Sequence, residues 1–147
     1  MRAVVQRVAK CTVTIDGNIV SSIGHGILIL LGVYKDDDEN DLKNMVRKCL
    51  GLRIFADDEG KMNLSVTDVG GEILVVSQFT LFGDTRRGMR PFFGEAALPD
   101  KAQSYYEKFI GLLAESPVEV KSGVFGAHMQ VELVNDGPVT IPLDTRS

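Results

Sequence analysis

Two histidines in 147 residues leave little material for side-chain acid–base catalysis. His25 sits between two glycines in a predicted hairpin turn, and His128 opens a predicted strand, so both read as structural. With both assigned that way, a Ser-His-Asp triad or a zinc site is hard to assemble. The chain also lacks a G-x-S-x-G elbow, a P-loop, a dinucleotide fingerprint and an H-E-x-x-H segment. Cys11 and Cys49 are far apart and form no C-x-x-C pair. They read as buried or half-buried thiols in a reducing compartment, not as a disulfide or metal ligands. No metal and no organic cofactor are expected. The longest nearly apolar run, Gly26 to Val33, is far too short to span a bilayer, and no basic-then-apolar leader opens the chain. A soluble cytoplasmic protein with no membrane partner is the expectation.

The net charge is −4. That argues against a broad footprint on duplex nucleic acid, which requires many phosphates to be neutralised. It leaves room for a partner that presents one single-stranded end. Basic residues are clustered: Arg2, Arg7 and Lys10 near the start, Arg86, Arg87 and Arg90 in the middle.

The length suits one domain, 1–147, and the 44% hydrophobic content suits a full core. Ala3 to Val8 and Thr12 to Ile15 are rich in β-branched residues and predict strands. Asp16-Gly17-Asn18 predicts a turn, with Ile19 to Ile23 returning as a hairpin. Ile27 to Val33 predicts a strand buried on both faces. Asp36 to Glu39 is followed by Leu42, Met45, Val46, Cys49 and Leu50 at helical spacing, so the acids mark a helix start. No EF-hand spacing accompanies them. Leu52 to Phe55 and Ile73 to Phe79 predict further strands. Pro99-Asp100 opens a second helix, whose apolar face is Ala102, Tyr105, Tyr106, Phe109, Leu112 and Leu113. Val118 to Lys121 and Met129 to Val134 predict the last strands. Helices packed on sheet structure bury both apolar faces, which makes the class α/β; strand order does not follow from these patterns.

Two segments could carry chemistry. Ser77-Gln78-Phe79-Thr80-Leu81 lies where a buried strand ends, and strand ends present polar groups and N–H donors to clefts. Thr80 is a possible nucleophile, but no neighbouring residue offers it a base. The backbone N–H groups there could equally hold a carbonyl oxygen as an oxyanion hole. Asn135-Asp136-Gly137-Pro138-Val139-Thr140 reads, on its own, as a turn after the last strand.

Together, Ser-Gln-Phe-Thr-Leu and Asn-x-Gly-Pro-x-Thr at this separation resemble the D-aminoacyl-tRNA deacylase family. The opening Met1 to Val8, Leu52 to Phe55, Gly60 to Asn63 and Arg90-Pro91 add to the resemblance, which covers essentially the whole chain. It implies a three-layer β-β-α sandwich with barrel-like sheet packing and two amphipathic helices. It implies a homodimer with its sites at the interface, acting on the 3′ acceptor end of D-aminoacyl-tRNA. Ser77, Gln78, Phe79 and Thr80 would form the catalytic pocket. Gly137 and Pro138, joined by a cis bond, would enter the pocket of the partner chain as the selectivity element. Arg7, Asn135 and Thr140 would support that loop.

Such a filter has a physical rationale. One methylene in an apolar pocket discriminates by only about 1–3 kcal/mol, whereas a wall that cannot yield rejects more strongly. An L side chain would meet the Gly137 and Pro138 carbonyls, and a D side chain would point to open space. Glycine has nothing to reject, so glycyl-tRNA, including glycine mischarged on the alanine tRNA, would also be hydrolysed. The missing base favours activation of water by the 2′-hydroxyl of the terminal adenosine over attack by Thr80, and the resemblance points the same way. Two rival readings are a nucleic-acid-binding module without hydrolytic activity, using Arg86, Arg87 and Arg90, and a Thr-dependent esterase of small esters.

Overall fold

The computed structural model describes residues 1–146; Ser147, the last residue of the expected domain, lies outside the described residues. The strands and α-helices run in the order β1 (Arg2–Ile15), β2 (Asn18–Ile23), β3 (Gly26–Gly32), α1 (Glu39–Gly51), β4 (Phe55–Ala56), β5 (Met62–Leu64), β6 (Glu72–Ser77), α2 (Pro99–Leu113), β7 (Glu119–Ser122) and β8 (Gln130–Asp144). The main sheet has the order β2-β1-β3-β6-β7, and β8 pairs with β1 as well. β3, β6 and β7 run parallel, and the other pairs of this sheet are antiparallel.

The two strands expected between Ala3 and Ile15 form one long strand. A bulge explains why they look separate in the sequence. Val8 faces Asn135 and Lys10 faces Val134, so Ala9 has no partner in β8. One extra residue reverses the alternation of side chains. Ala3 and Val5 therefore face the helices, while Val8, Cys11 and Val13 all line the second apolar layer. The same stretch exchanges neighbours: residues Arg2 to Val8 pair with β3, and Cys11 to Ile15 pair with β2.

β3 is buried on both faces, as its unbroken apolar run predicts. Ile27, Ile29 and Leu31 pack under the helices, and Leu28 joins Ile23, Leu74 and Val76 inside the curled sheet. The curl is fixed at its far ends. Ser21 Oγ donates to the Ser122 carbonyl at 2.5 Å, and Lys121 Nζ to the Ser22 carbonyl at 2.7 Å, which draws β2 to β7. The result is a nearly closed, barrel-like sheet with a helix layer on one side, the β-β-α arrangement expected.

Asp38 caps α1: its Oδ1 accepts from the Asn40 and Asp41 N–H groups, and Asp41 returns a bond to the Asp38 N–H. Asp37 does something else. It is buried, accepting from the Met1 amine at 2.7 Å and the Tyr34 N–H at 2.7 Å. Pro99 is the first residue of α2, where a missing N–H loses nothing. Leu52 to Ile54 do not pair as a strand. The Leu52 N–H closes α1 on the Lys48 carbonyl, and the Ile54 carbonyl accepts from Arg7, so helix capping and an arginine hold this segment instead. His25 is exposed in the β2–β3 turn against the edge of Phe55, and His128 lies in the loop before β8 instead of starting it.

Both cysteines are free and buried. Burial pushes the Cys11 thiol up to about 11 and the Cys49 thiol up to about 12. A raised thiol pKa keeps the reactive thiolate scarce until the pH approaches that value. Neither cysteine should react with a disulfide reagent in the folded protein at about pH 8, and both should react once the chain is denatured. Rapid modification of the native protein would contradict this burial.

Candidate active site

β6 ends at Ser77, paired with Leu31. The sequence predicts a strand running on to Phe79, but the chain turns at Gln78, whose N–H is held by the Leu31 carbonyl at 2.8 Å. A 3₁₀ turn, Phe79–Phe82, follows. Its shape depends on a close approach. Phe82 is buried over Gly32, where a Cβ would come within 2.7 Å of the ring. Seating Phe82 there leaves Phe79 exposed on the other side of the turn, with its ring edge-on to Phe93 at 5.1 Å.

The first N–H groups of a helical turn have no partner within it. The Leu81 and Gly83 N–H groups bond to the Gln78 and Thr80 carbonyls. Those of Phe79 and Thr80 have no backbone or side-chain partner among the described residues. Thr80 Oγ1 accepts a hydrogen bond from Gln78 Nε2, and no imidazole, carboxylate or amine bonds to it among the described residues. Two free main-chain donors thus stand beside an unactivated hydroxyl.

Next to them opens an apolar cavity of about 510 Å³. Ser77, Phe79, Phe93, Phe125, Ala127 and Met129 line it, with Leu31 and Val33 from the sheet. Its size and aromatic walls suit a flat ring system carrying a side chain. Phe93 and Phe125 come from loops and carry no local signal in the sequence; Met129, expected to open the last strand, lies in the loop just before β8.

Arg2, expected only as part of a basic cluster, holds the turn. Its Nη1 donates to the Leu81 carbonyl at 2.8 Å, its Nη2 to the Tyr34 hydroxyl at 2.7 Å, and its Nε to Asp144 Oδ2 at 3.1 Å. The guanidinium also lies over the Phe82 ring, 5.2 Å from its centroid. The Tyr34 hydroxyl donates to Asp144 at 2.8 Å. Burial and that carboxylate raise the Tyr34 pKa, which keeps the hydroxyl a donor.

Asn135 to Thr140 is not a turn beyond the last strand. It is a bulged loop inside β8. Gln6 faces Thr140 and Val8 faces Asn135, so residues 136–139 stand opposite Arg7 alone. Asn135 Nδ2 ties the base of this loop by donating to the Arg7 and Val139 carbonyls, each at 2.9 Å. Arg7 Nε donates to the Asp136 carbonyl at 3.1 Å and pairs with its carboxylate at 3.3 Å, while Nη1 reaches the Ile54 carbonyl at 2.6 Å. Thr140 Oγ1 accepts from Gln6 at 3.3 Å. Val139 is buried as the anchor, and Gly137 and Pro138 are exposed at the tip. Their peptide bond is cis, and Gly137 has a φ of +129°, a conformation that favours glycine.

Within one chain the two segments do not meet. Ser77 lies level with Leu31 and Ala3, whereas the loop lies level with Arg7, on the far side of β1. Four residues along the strands and three strand spacings across put them roughly 20 Å apart. No residue from 135 to 140 lines the cavity. Among the described residues no group of histidine, cysteine or carboxylate side chains could hold a metal ion, and no helix is long and apolar enough to cross a membrane.

Fold and site together define an α/β protein that offers main-chain donors to an apolar pocket, an arrangement suited to the oxyanion of an ester or amide. A family model for D-Tyr-tRNA(Tyr) deacylase matches residues 4–144. The chain belongs to that family. A D-aminoacyl-tRNA deacylase of Thermotoga petrophila is 57% identical over 145 residues, covering 99% of this chain and 97% of the relative. A solved structure described as a c-Myc DNA Unwinding Element Binding Protein superposes with a TM-score of 0.94 at 45% identity, covering 99% of each chain. A second, described as a probable eukaryotic D-amino acid tRNA deacylase, has a TM-score of 0.80 at 19% identity over 97% of each chain, and shows the fold alone.

The bonds made by Arg2 generate a local expectation. Arg2→Ala should lower stability by about 1–2 kcal/mol in urea melts. Amide exchange at Leu81 and Gly83 should accelerate at least about tenfold more than in β6, because the turn opens before the sheet does. Equal acceleration in both places would mean that Arg2 does not hold the turn.

Proposed function

We propose that this chain is a D-aminoacyl-tRNA deacylase, a cytoplasmic hydrolase that cleaves the ester between a D-amino acid and the 3′ end of tRNA as part of translation quality control. The observation that carries the reading is the pair of free N–H groups at Phe79 and Thr80 at the mouth of an apolar cavity. A terminal adenosine would occupy the cavity against Phe93, Phe125 and Met129. The ester carbonyl would then lie against the two N–H groups, which stabilise the charge developing on its oxygen. Ser77 and Gln78 set the end of the strand from which the turn departs.

The working unit would be a homodimer. Two observations support it. Ser77 to Thr80 and Gly137-Pro138 are too far apart in one chain to share a bound ester. Among the described residues the outer edge of β8, a strand of 15 residues, has no paired strand, and such an edge calls for a cover. A second chain could insert its Gly137-Pro138 tip beside the cavity. The tip would then act as the chiral filter through main-chain carbonyls, which have no rotamers with which to yield. Arg7, Asn135 and Thr140 keep it in place.

Hydrolysis itself would depend on the RNA. With no base on Thr80, the 2′-hydroxyl of the terminal adenosine is the better candidate to activate water. Thr80→Ala should then retain single-turnover activity within about tenfold, and a 2′-deoxy terminal adenosine should abolish it. Loss of several orders of magnitude in Thr80→Ala with binding intact would make Thr80 the nucleophile instead.

Incubation with D-tyrosyl-tRNA, L-tyrosyl-tRNA and D-tyrosine methyl ester tests the reading as a whole. Only D-tyrosyl-tRNA should be lost. Cleavage of the methyl ester would indicate a general esterase, and binding of tRNA without cleavage a nucleic-acid-binding module. Glycyl-tRNA should also be cleaved, since it has no side chain for the filter to meet; if it survives moderate enzyme excess, selectivity does not work by rejection alone.

A further inference from the structure

The turn from Asp84 to Phe92 has no role in the site described so far. It carries three arginines against one aspartate in a chain of net charge −4. Asp84 and Phe92 close it with reciprocal backbone bonds of 2.8 and 3.0 Å. Asp84 is committed to Arg86, accepting from it at 2.6 and 2.9 Å, and this pairing holds the carboxyl down at about 2. Arg87 and Arg90 are exposed and have no acidic partner among the described residues. Beside them Met89 is 97% exposed and Phe92 70% exposed, which is unusual for side chains of this size. Arg87, Arg90, Met89 and Phe92 border one open cleft of about 620 Å³.

That cleft backs directly onto the apolar cavity. Phe93 lines the cavity, while its neighbours Phe92 and Gly94 line the cleft. A chain leaving the cavity over this segment would therefore arrive at Arg87 and Arg90. Free guanidiniums beside an exposed aromatic face match an unpaired polynucleotide, whose phosphates take the charge and whose bases can stack. Paired bases cannot be stacked upon in this way, which favours a single strand over a duplex stem.

We propose that the Asp84–Phe92 turn is a second tRNA-binding surface that takes the unpaired nucleotides preceding the terminal adenosine, with Arg87 and Arg90 on their phosphates and Phe92 against a base. This rests on the deacylase reading and assigns Arg86 a different task, holding the shape of the turn through Asp84. The turn then serves affinity for the RNA and not the chemistry of the ester.

The experiment compares wild type with Arg87→Ala/Arg90→Ala on two substrates, D-tyrosyl-tRNA and the D-tyrosyl ester of adenosine alone. A Lys43→Ala/Arg47→Ala variant on α1 controls for the same change in net charge. On D-tyrosyl-tRNA the turn variant should raise KM about ten- to hundredfold with kcat nearly unchanged. The slope of log KM against log salt should fall by about 1.4, roughly 0.7 for each single-strand phosphate that is no longer neutralised. Hydrolysis of the adenosine ester should be unaffected. Equal losses on both substrates, an unchanged KM for the tRNA, or the same loss in the α1 control would overturn the proposal. Failure of the wild type to cleave D-tyrosyl-tRNA would instead overturn the deacylase reading, so the two failures are distinguishable.

Discussion

The pairing of β1 with three other strands is the constraint on which the remaining structure depends. One half of β1 needs β3, the other half needs β2, and β8 follows it along nearly its whole length. A flat strand cannot serve all three. The bulge at Ala9 solves the geometry by turning the side chains over at the point where the neighbour changes. It sends Ala3 and Val5 toward the helices and Cys11 and Val13 into the curled sheet. A second irregularity, opposite Arg7, pushes residues 136–139 out of the ladder with β1. The fold and the proposed selectivity loop are therefore consequences of the same ladder.

That origin explains how the loop is braced. A loop extruded from a strand keeps both of its ends hydrogen-bonded, so only its base needs fixing. Asn135 joins the two sides of the base, Val139 is buried beneath it, and Arg7 fills the gap that the extrusion leaves in the ladder. Arg7 reads in the sequence as one of a basic cluster. In the structure it reaches inward to two carbonyls and a carboxylate, and Arg2 to a carbonyl, a tyrosine hydroxyl and a carboxylate. Of that cluster, two of the three charges are structural.

Much of the fold was legible because it rests on local patterns. β3 announces its two-sided burial through seven nearly unbroken apolar residues, and α1 announces its start through the acidic run Asp36 to Glu39 ahead of apolar residues at helical spacing. What was not legible rests on interactions between distant segments. The break between Val8 and Thr12 looks like a strand end, because a bulge and a turn have similar composition. Ile73 to Phe79 looks like one strand, because nothing local reveals that Gly32 leaves room for Phe82 and bends the chain after Ser77. Asp37 sits in an acidic run that reads as helix-starting charge, yet it is buried against the Met1 amine. The polar segments proposed for the site could be named from sequence, but the cavity beside them could not. Its walls at Phe93, Phe125 and Met129 come together only in three dimensions.

A site built from main-chain N–H and carbonyl groups places unusual demands on its surroundings. A side-chain catalyst can reach its working geometry by choosing a rotamer. A backbone donor is placed only by the position of the chain that carries it, and errors of about 1 Å matter for electrostatic stabilisation and positioning. The supporting residues must therefore act on backbone atoms, and they do. Arg2 holds the Leu81 carbonyl, Gly32 admits Phe82 to anchor the 3₁₀ turn, and Asn135 and Arg7 hold carbonyls on either side of Gly137-Pro138. The scarcity of histidine and the absence of a base near Thr80 among the described residues are then no obstacle to the proposed catalysis. They fit the proposed division of labour, in which the protein would contribute a rigid main-chain frame and the RNA would contribute the reactive hydroxyl.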